Sequence, residues 1–338
     1  MSNKQYKSIL AVDVMGADNH CSILLNAVYD FLNNDSNKDT LIKVYGKISE
    51  MQESISQLKL DQFENFEVLD SESSIRATDS PTKSLRSAKG SSMYNAIQSV
   101  ANNEADAVIS AGNTGMLMAL SKIIIKMMSN FHRPAIATVF PGQTVMLDLG
   151  ANSSCSSSDL HQFGIMGSLF HTAVFNSENP TVALLNIGSE AHKGDDVIKD
   201  ADRRLSEDNS LNYTGFIEGN QILFSQSNVI VTDGFTGNIS LKTMEGAIKY
   251  LTKKIKSSTA IKVTYFALWP FSSFLLNKIK NSSLIDYREY NGAMLLGLNG
   301  IVVKSHGNTD RYGFYSSLVT AKKIAESNIK QKLINVTT

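Results

Sequence analysis

Two turns in this 338-residue chain carry the same chemistry. After the apolar run Asp106-Ala-Val-Ile-Ser-Ala111 comes Gly112-Asn113-Thr114-Gly115, then an apolar helical pattern that begins at Met116. After Val229-Ile-Val-Thr232 comes Asp233-Gly234-Phe235-Thr236-Gly237-Asn238, then a helical pattern that carries Lys242. Each places glycines, a hydroxyl and an amide at a helix start, where unpaired backbone N–H groups and the positive end of the helix dipole favour an anion. A phosphate fits both. The same residue types also build ordinary tight turns, so it is the pair of turns rather than either one that points to anion binding. Neither has the Walker spacing or the dinucleotide G-x-G-x-x-G pattern, which turns the reading from nucleotides to a smaller anion.

Three further turns supply carboxylates and an amine: Asp13-Val-Met-Gly16-Ala-Asp18, Asp148-Leu-Gly-Ala-Asn152, and Asn186-Ile-Gly-Ser-Glu190 followed by Lys193-Gly194. A carboxylate at a strand end also serves to hold a loop through backbone N–H bonds. Lys193 and Lys242 could pair with a bound phosphate, although a lone lysine is more often a solvated helix residue. The six histidines show no helical i, i+3 or i, i+4 pairing and have no cysteine partners, so no metal site is expected. A G-x-S-x-G nucleophile elbow is also missing, which disfavours a serine hydrolase.

These turns need a scaffold, and the chain supplies one. Short β-branched runs alternate with helical patterns, the signature of an α/β fold with a mainly parallel sheet and helices on both faces. Strands are expected at 9–14, 41–45, 66–69, 107–110, 135–140, 145–149, 181–186, 229–232 and 301–304. Helical spacing appears at Met93, Ala96, Ile97, Val100 and Ala101, and again at Leu241, Met244, Ile248, Leu251 and Ile255. Asp310 reads as the N-cap of a last helix with Phe314, Leu318, Ala321 and Ala325 on one side. Residues 71–92 read as a long functional loop or a junction. In such a sheet the ligand crevice lies beyond the carboxyl ends of the strands, so the five turns are expected to share it.

Lys and Arg total 32 against 32 Asp and Glu, a balance that argues against a surface built for nucleic acid. Two cysteines, Cys21 and Cys155, cannot form a disulfide framework, and the polar segment Met1 to Lys7 lacks a secretory core, so a cytoplasmic protein is expected. The most apolar window, 263–276, contains Pro270 and is too short to span a bilayer, which takes roughly 20 apolar residues. It holds the only Trp and is flanked by Lys253, Lys254, Lys256 and Lys262 on one side and Lys278 and Lys280 on the other. An aromatic tip with a cationic rim suits docking on a membrane surface, and equally a buried core or dimer contact.

Taken together the strings resemble a known family. Asp13-Val-Met-Gly-Ala-Asp18, Ser84-Leu-Arg86, Asp106-Ala-Val-Ile-Ser-Ala-Gly-Asn-Thr-Gly115, Arg133-Pro-Ala-Ile136, Leu147-Asp-Leu-Gly-Ala-Asn152, Leu184-Leu-Asn-Ile-Gly188, Lys193-Gly194, Gly215-Phe-Ile-Glu-Gly219, Thr232-Asp-Gly-Phe-Thr-Gly-Asn238, Leu241-Lys242 and Asn291-Gly-Ala-Met-Leu-Leu-Gly297 occur in the order seen in PlsX-type phosphate acyltransferases. The chain departs from the usual family pattern at Ala17, Cys21, Ser189, Asn220-Gln221 and Ser305-His-Gly-Asn308. The resemblance implies a Rossmann-like homodimer, related to phosphotransacetylases and isocitrate dehydrogenase-like folds, with a projecting helical hairpin. It implies a single catalytic domain over 1–338, with 242–290 as the projecting, membrane-facing and dimer-contact segment. The implied reaction joins inorganic phosphate to the acyl group of long-chain acyl-(acyl carrier protein) and needs no cofactor. The acyl phosphate would feed a membrane-bound glycerol 3-phosphate acyltransferase on the inner face of the cell membrane.

Phosphate is already anionic near neutral pH and a thiolate leaves readily, so what the reaction needs is two anions held together and a stabilised oxyanion. The residues expected at the reacting atoms are Asn113, Thr114, Asp233, Asn238 and Lys242. Those expected to line the substrates are Asp13, Gly16, Asp18, Gly112, Gly115, Lys193, Gly234, Thr236, Gly237 and His306. The acidic carrier protein would need a local basic face, with Lys83, Arg86 and Lys89 or the lysines between 253 and 280 as candidates. The rival readings are a phosphotransacetylase acting on acetyl-coenzyme A, a non-catalytic membrane-surface scaffold and, more remotely, a nicotinamide-dependent dehydrogenase.

Overall fold

The alternating apolar runs assemble into one eleven-stranded sheet. The computed structural model describes residues 6–76, 78–79, 84–224, 227–257, 288, 291–327 and 329. Its strands are β1 (Ser8–Asp13), β2 (Thr40–Gly46), β3 (Phe66–Asp70), β4 (Ala107–Ser110), β5 (Ala135–Phe140), β6 (Thr144–Leu147), β7 (Thr181–Asn186), β8 (Asn212–Glu218), β9 (Val229–Val231), β10 (Ala293–Leu296) and β11 (Ile301–Lys304). They lie in the order β3-β2-β1-β4-β11-β10-β5-β6-β9-β7-β8. The described helices are α1 (Cys21–Leu32), α2 (Ile48–Leu58), α3 (Ser92–Ala101), α4 (Thr114–Ile124), α5 (Ser157–Phe175), α6 (Asp196–Glu207), α7 (Gly234–Ser257) and α8 (Arg311–Glu326).

Both faces of the sheet are covered, and alternate residues along each strand show it. Leu10, Val12, Ile109, Val303 and Val229 face one core, with α1, α2, α5, α6 and α8 supplying Leu24, Phe31, Met51, Phe163, Leu205 and Phe314. Ala11, Val108, Val302 and Ile230 face the other, with Met93 and Ile97 of α3, Met116 and Leu117 of α4, and Leu241 and Met244 of α7. The period of two along a strand is what separates the two sets. Asp310 caps α8 by accepting the Gly313 N–H at 2.8 Å, as the sequence predicts. Helix α5 is started by a capping box between Ser156 and Asp159.

Direction along the sheet decides where a site can form. Strands β3, β2, β1, β4 and β11 pair in parallel, and so do β6, β9, β7 and β8. Between the two blocks, β10 is antiparallel to β11 and to β5, and β5 is antiparallel to β6. The blocks therefore run in opposite senses, and their carboxyl ends lie at opposite edges of the sheet. This corrects the expectation of a single crevice beyond all the strand ends.

Strands β8 and β10 are additions to the sequence reading. Edge strand β8 has Asn, Thr and Gly interleaved and is only half-buried, so it shows no apolar run. The four residues of β10 become a strand only through distant partners on β5 and β11. The loop at 71–92 is tied back by the Glu72 N–H to Gly90 O bond at 3.1 Å and buries Ile75 and Ala88. The projecting segment expected over 242–290 includes the end of α7; residues 258–287 and 289–290 lie outside the described residues, as does the aromatic window 263–276. No described helix is long and apolar enough to cross a membrane.

Candidate active site

A cavity of about 480 Å³ lies on the face of the sheet, over the central antiparallel strands and under α7. Its floor is the alternate residues Ile136, Thr138 and Phe140 of β5 with Ala293 of β10, and α7 contributes Leu241, Met244 and Ile248. One end is closed by Leu149 and Gly150, which follow β6, and by Asn238. The other end is polar, with Asp18, Thr114, Lys242, Glu245, Lys304 and the backbone and side chains of 305–308. The turns that follow β1, β4 and β11 reach the cavity at one end, and the turn after β6 and the first turn of α7 reach it at the other. Helix α7 crosses between them because its rise of about 1.5 Å per residue sets Asn238 and Glu245 roughly 10 Å apart.

The loop at the start of α7 is built on Asp148, which is fully buried. Its carboxylate accepts the N–H groups of Ile136 at 3.0 Å, Gly150 at 3.1 Å, Ala151 at 3.0 Å and Asn152 at 2.7 Å, and the Asn152 side-chain amide at 2.9 Å. Helix α7 packs directly on this loop: a Cβ at Gly237 would sit 1.9 Å from the Asp148 carbonyl oxygen, and one at Gly234 would sit 2.5 Å from that of Asn152. Both positions therefore require glycine for close approach. Asp233 caps the helix, accepting the Thr236 N–H at 2.9 Å and its hydroxyl at 2.7 Å. Thr236 is exposed and outside the cavity lining, whereas Asn238 lines it against Gly150.

The opposite end is held by a second buried network. Asp13, at the end of β1, accepts the Ser110 hydroxyl at 2.7 Å and the Met15 N–H at 3.1 Å, and Ser110 Oγ accepts the Gly112 N–H at 3.0 Å. Burial raises the Asp13 carboxyl to about 6, against the pull of the Ser110 and Ser92 hydroxyls. Asn113 caps α4 through the Met116 N–H at 3.0 Å, and its amide donates to the Asp79 carbonyl at 3.1 Å. Gly16 has φ +71°, and a Cβ there would meet the Ile75 carbonyl oxygen at 2.1 Å. Asp13, Gly16, Gly112 and Asn113 thus shape the turns and are not among the cavity-lining residues, and neither are Gly115 and Lys193. Thr114 and Asp18 are, with the Asp18 N–H held by the Gly307 carbonyl at 2.9 Å.

Three groups at the polar end are not among the expected site residues. Glu245, one turn beyond Lys242, binds its ammonium at 3.1 and 3.2 Å and lies 3.6 Å from His306 Nε2. Asn291 shapes the 305–309 loop: its amide donates to Ser305 Oγ at 3.0 Å and Thr309 Oγ1 at 2.9 Å, and its oxygen accepts the His306 N–H at 3.1 Å. Lys304 closes β11, and burial brings its ammonium down to about 8, against the favourable field of Asp18. Burial also holds the His306 imidazole at about 4 despite Glu245, so it is neutral at pH 7. The i, i+3 spacing of Lys242 and Glu245 was a visible signal; the approach of Lys304 to Asp18 was not.

The arrangement offers an apolar channel ending at two amines, a neutral imidazole, a hydroxyl and an amide. Among the described residues no group of three or more His, Cys, Asp or Glu is placed to hold a metal ion.

Residues 9–332 match the model of a family described as fatty acid synthesis protein. A relative from Pelagibacter ubique (strain HTCC1062), named phosphate acyltransferase, is 39% identical over 333 residues, covering 96% of this chain and 97% of its own. Among solved structures, a phosphotransacetylase from Streptococcus pyogenes superposes with a TM-score of 0.60 at 15% identity, covering 95% of each chain. A putative 4-hydroxythreonine-4-phosphate dehydrogenase from Salmonella typhimurium gives 0.56 at 10% identity, covering 94% of this chain and 99% of its own. These two likenesses show the shared α/β fold, and the family match with the closely similar relative over nearly all of the chain shows that it belongs to the PlsX family of phosphate acyltransferases.

Proposed function

We propose that the protein transfers a long-chain acyl group from acyl carrier protein to inorganic phosphate, releasing acyl phosphate for phospholipid synthesis. The observation that carries this reading is a cavity that joins an apolar floor to a cationic, hydrogen-bonding end. An acyl chain fits along β5, β10 and α7, with its thioester at the polar end. There a phosphate oxygen attacks the thioester carbonyl, the C–O bond forms, the C–S bond breaks, and the departing thiolate takes up the proton that hydrogen phosphate gives up. No covalent enzyme intermediate is needed, and both substrates are held at once. Thr114, Lys242 and His306 are the groups placed at that end to hold phosphate or the oxyanion, with Asn238 at the opposite end of the cavity. Asp18 shapes that end with Gly307, and Asp13, Gly16, Gly112, Asn113, Gly115, Asp233, Gly234, Thr236 and Gly237 act by fixing the turns; Lys193 is left with a distant role.

The same reading includes a homodimer and peripheral attachment to the inner face of the cell membrane. Ile187, Phe224, Phe235 and Ile239 are exposed apolar side chains of the kind a second copy would cover. Of the basic residues expected to meet the acidic carrier, Arg86, Lys89, and Lys253 and Lys254 on α7 lie among the described residues.

The test is mass-spectrometric detection of acyl phosphate from palmitoyl-(acyl carrier protein), with and without phosphate, beside palmitoyl-coenzyme A and acetyl-coenzyme A. Phosphate-dependent product from the carrier substrate is the expected result. Product from acetyl-coenzyme A alone would replace it with a phosphotransacetylase, and no product from any donor with a folded protein would overturn the enzymatic reading.

A further inference from the structure

Among the described residues, Lys304 is a cavity-lining cation with no carboxylate at ion-pair distance, although Asp18 and Asp13 lie in its field. The other amine there, Lys242, is paired with Glu245. Among the described residues, the Lys304 ammonium donates to the carbonyls of Ala111, at 3.4 Å, and Ser305. Those carbonyls follow β4 and β11, neighbouring parallel strands in which Lys304 stands opposite Ser110, so the ammonium is clamped between two strand ends. An ammonium has three N–H donors, and two carbonyls leave one for an acceptor in the cavity. Taking a cation out of water without a counter-ion is costly, and an apolar side chain of similar length would be more stable at such a place. A charge kept there is complemented when an anion enters.

We propose that Lys304 is the phosphate-holding cation of the site, its clamped ammonium meeting the phosphate that attacks the thioester at the polar end of the cavity. The assignment rests on the acyl-transfer reading above. It gives the two lysines different tasks: Lys304 supplies a fixed charge to phosphate, and Lys242, more exposed and tied to Glu245, borders the entrance. The charged and titratable groups facing Lys304 are Asp18, Asp13 and Lys242, with His306 and Glu245 lining the same cavity.

Lys304→Met and Lys304→Arg in the full chain test this, with inorganic phosphate as the varied ligand. Loss of a charge-assisted contact predicts a phosphate KM raised about 10- to 100-fold in Lys304→Met, with the acyl-donor KM within about threefold. The Met variant should unfold no more readily than the wild type without phosphate, and Lys304→Arg should recover part of the phosphate affinity. Above about pH 8 the wild-type phosphate KM should climb about tenfold per pH unit as the amine loses its proton, and Lys304→Arg should lack this climb. An unchanged phosphate KM, an equal loss toward both substrates, or a Met variant less stable than the wild type would each overturn the assignment. If the wild type makes no acyl phosphate, the acyl-transfer reading fails separately. Phosphate should still raise the wild-type unfolding temperature and leave that of Lys304→Met unchanged, and an equal rise in both would overturn the assignment.

Discussion

Replacing Asp13 by Asn should stabilise the protein at neutral pH and leave it nearly unchanged in acid. The Asp13 side chain is fully buried among Ser110, Ser92 and the Met15 N–H, and burial raises it from its ordinary 3.8 to about 6. Between those two values the folded state keeps a proton that the unfolded chain has released. Wild-type stability therefore falls as pH rises through this window, and the loss is complete somewhat above pH 6. The interval corresponds to roughly 3 kcal/mol at 1.36 kcal/mol per pH unit. An amide of the same shape cannot ionise, and it can keep its contacts to Ser110 and Met15. Urea unfolding of both proteins, followed by far-ultraviolet circular dichroism at pH 4, 5, 6 and 7.5, measures the difference. Other titrating groups cancel between the two proteins, so the advantage of Asp13→Asn should grow by about 2.4 kcal/mol from pH 4 to pH 7.5, part of the change being already complete at pH 4. A pH-independent difference, or one that favours the wild type increasingly as pH rises, would refute the reasoning. The second outcome would mean that Lys304 and the hydroxyl donors outweigh desolvation.

Thr138→Phe should fill the middle of the channel floor, and shortening the space by three methylenes would cost roughly 2.4 kcal/mol, a ~50-fold drop in kcat/KM for palmitoyl donors with little change for short ones; an equal loss across chain lengths would remove the acyl chain from this cavity. Asp148→Ala leaves four N–H bonds of the 148–152 loop and that of Ile136 on β5 without their acceptor and should destabilise by roughly 3–5 kcal/mol in denaturant unfolding, with Asp148→Asn intermediate. Lys242→Ala breaks a partly exposed pair with Glu245 and should change stability by less than ~1 kcal/mol. Its phosphate KM should rise by less than that of Lys304→Met, and unaltered kinetics would take Lys242 out of the site.

The legible part of the site was its turns. Gly112, Asn113, Asp233 and Gly237 announced helix starts because glycine permits close approach and Asn and Asp cap, effects set within a few residues. In the structure most of that chemistry is spent on building the turns, and only Thr114 and Asn238 from these two strings line the cavity. A sequence motif records both uses with the same letters. Asp18, Lys242 and His306 also reach the cavity, whereas Lys193, in the turn after β7, does not, since β7 lies three strands from β5 toward the far edge.

Local patterning determined the strand and helix runs, the α/β class, the cap at Asp310 and the family, since each depends on residue types at short spacing or on ordered strings. Tertiary structure alone decided that β10 and β5 run against their neighbours, that the two parallel blocks point opposite ways, and that the cavity lies on the sheet face beneath α7 instead of beyond its edge. The same long-range pairing aligns Lys304 with Ser110 and brings Glu245 to His306. Strand direction and side-chain convergence arise from contacts between segments far apart in the chain, such as Asp18 and Gly307, and no periodicity within one segment encodes them.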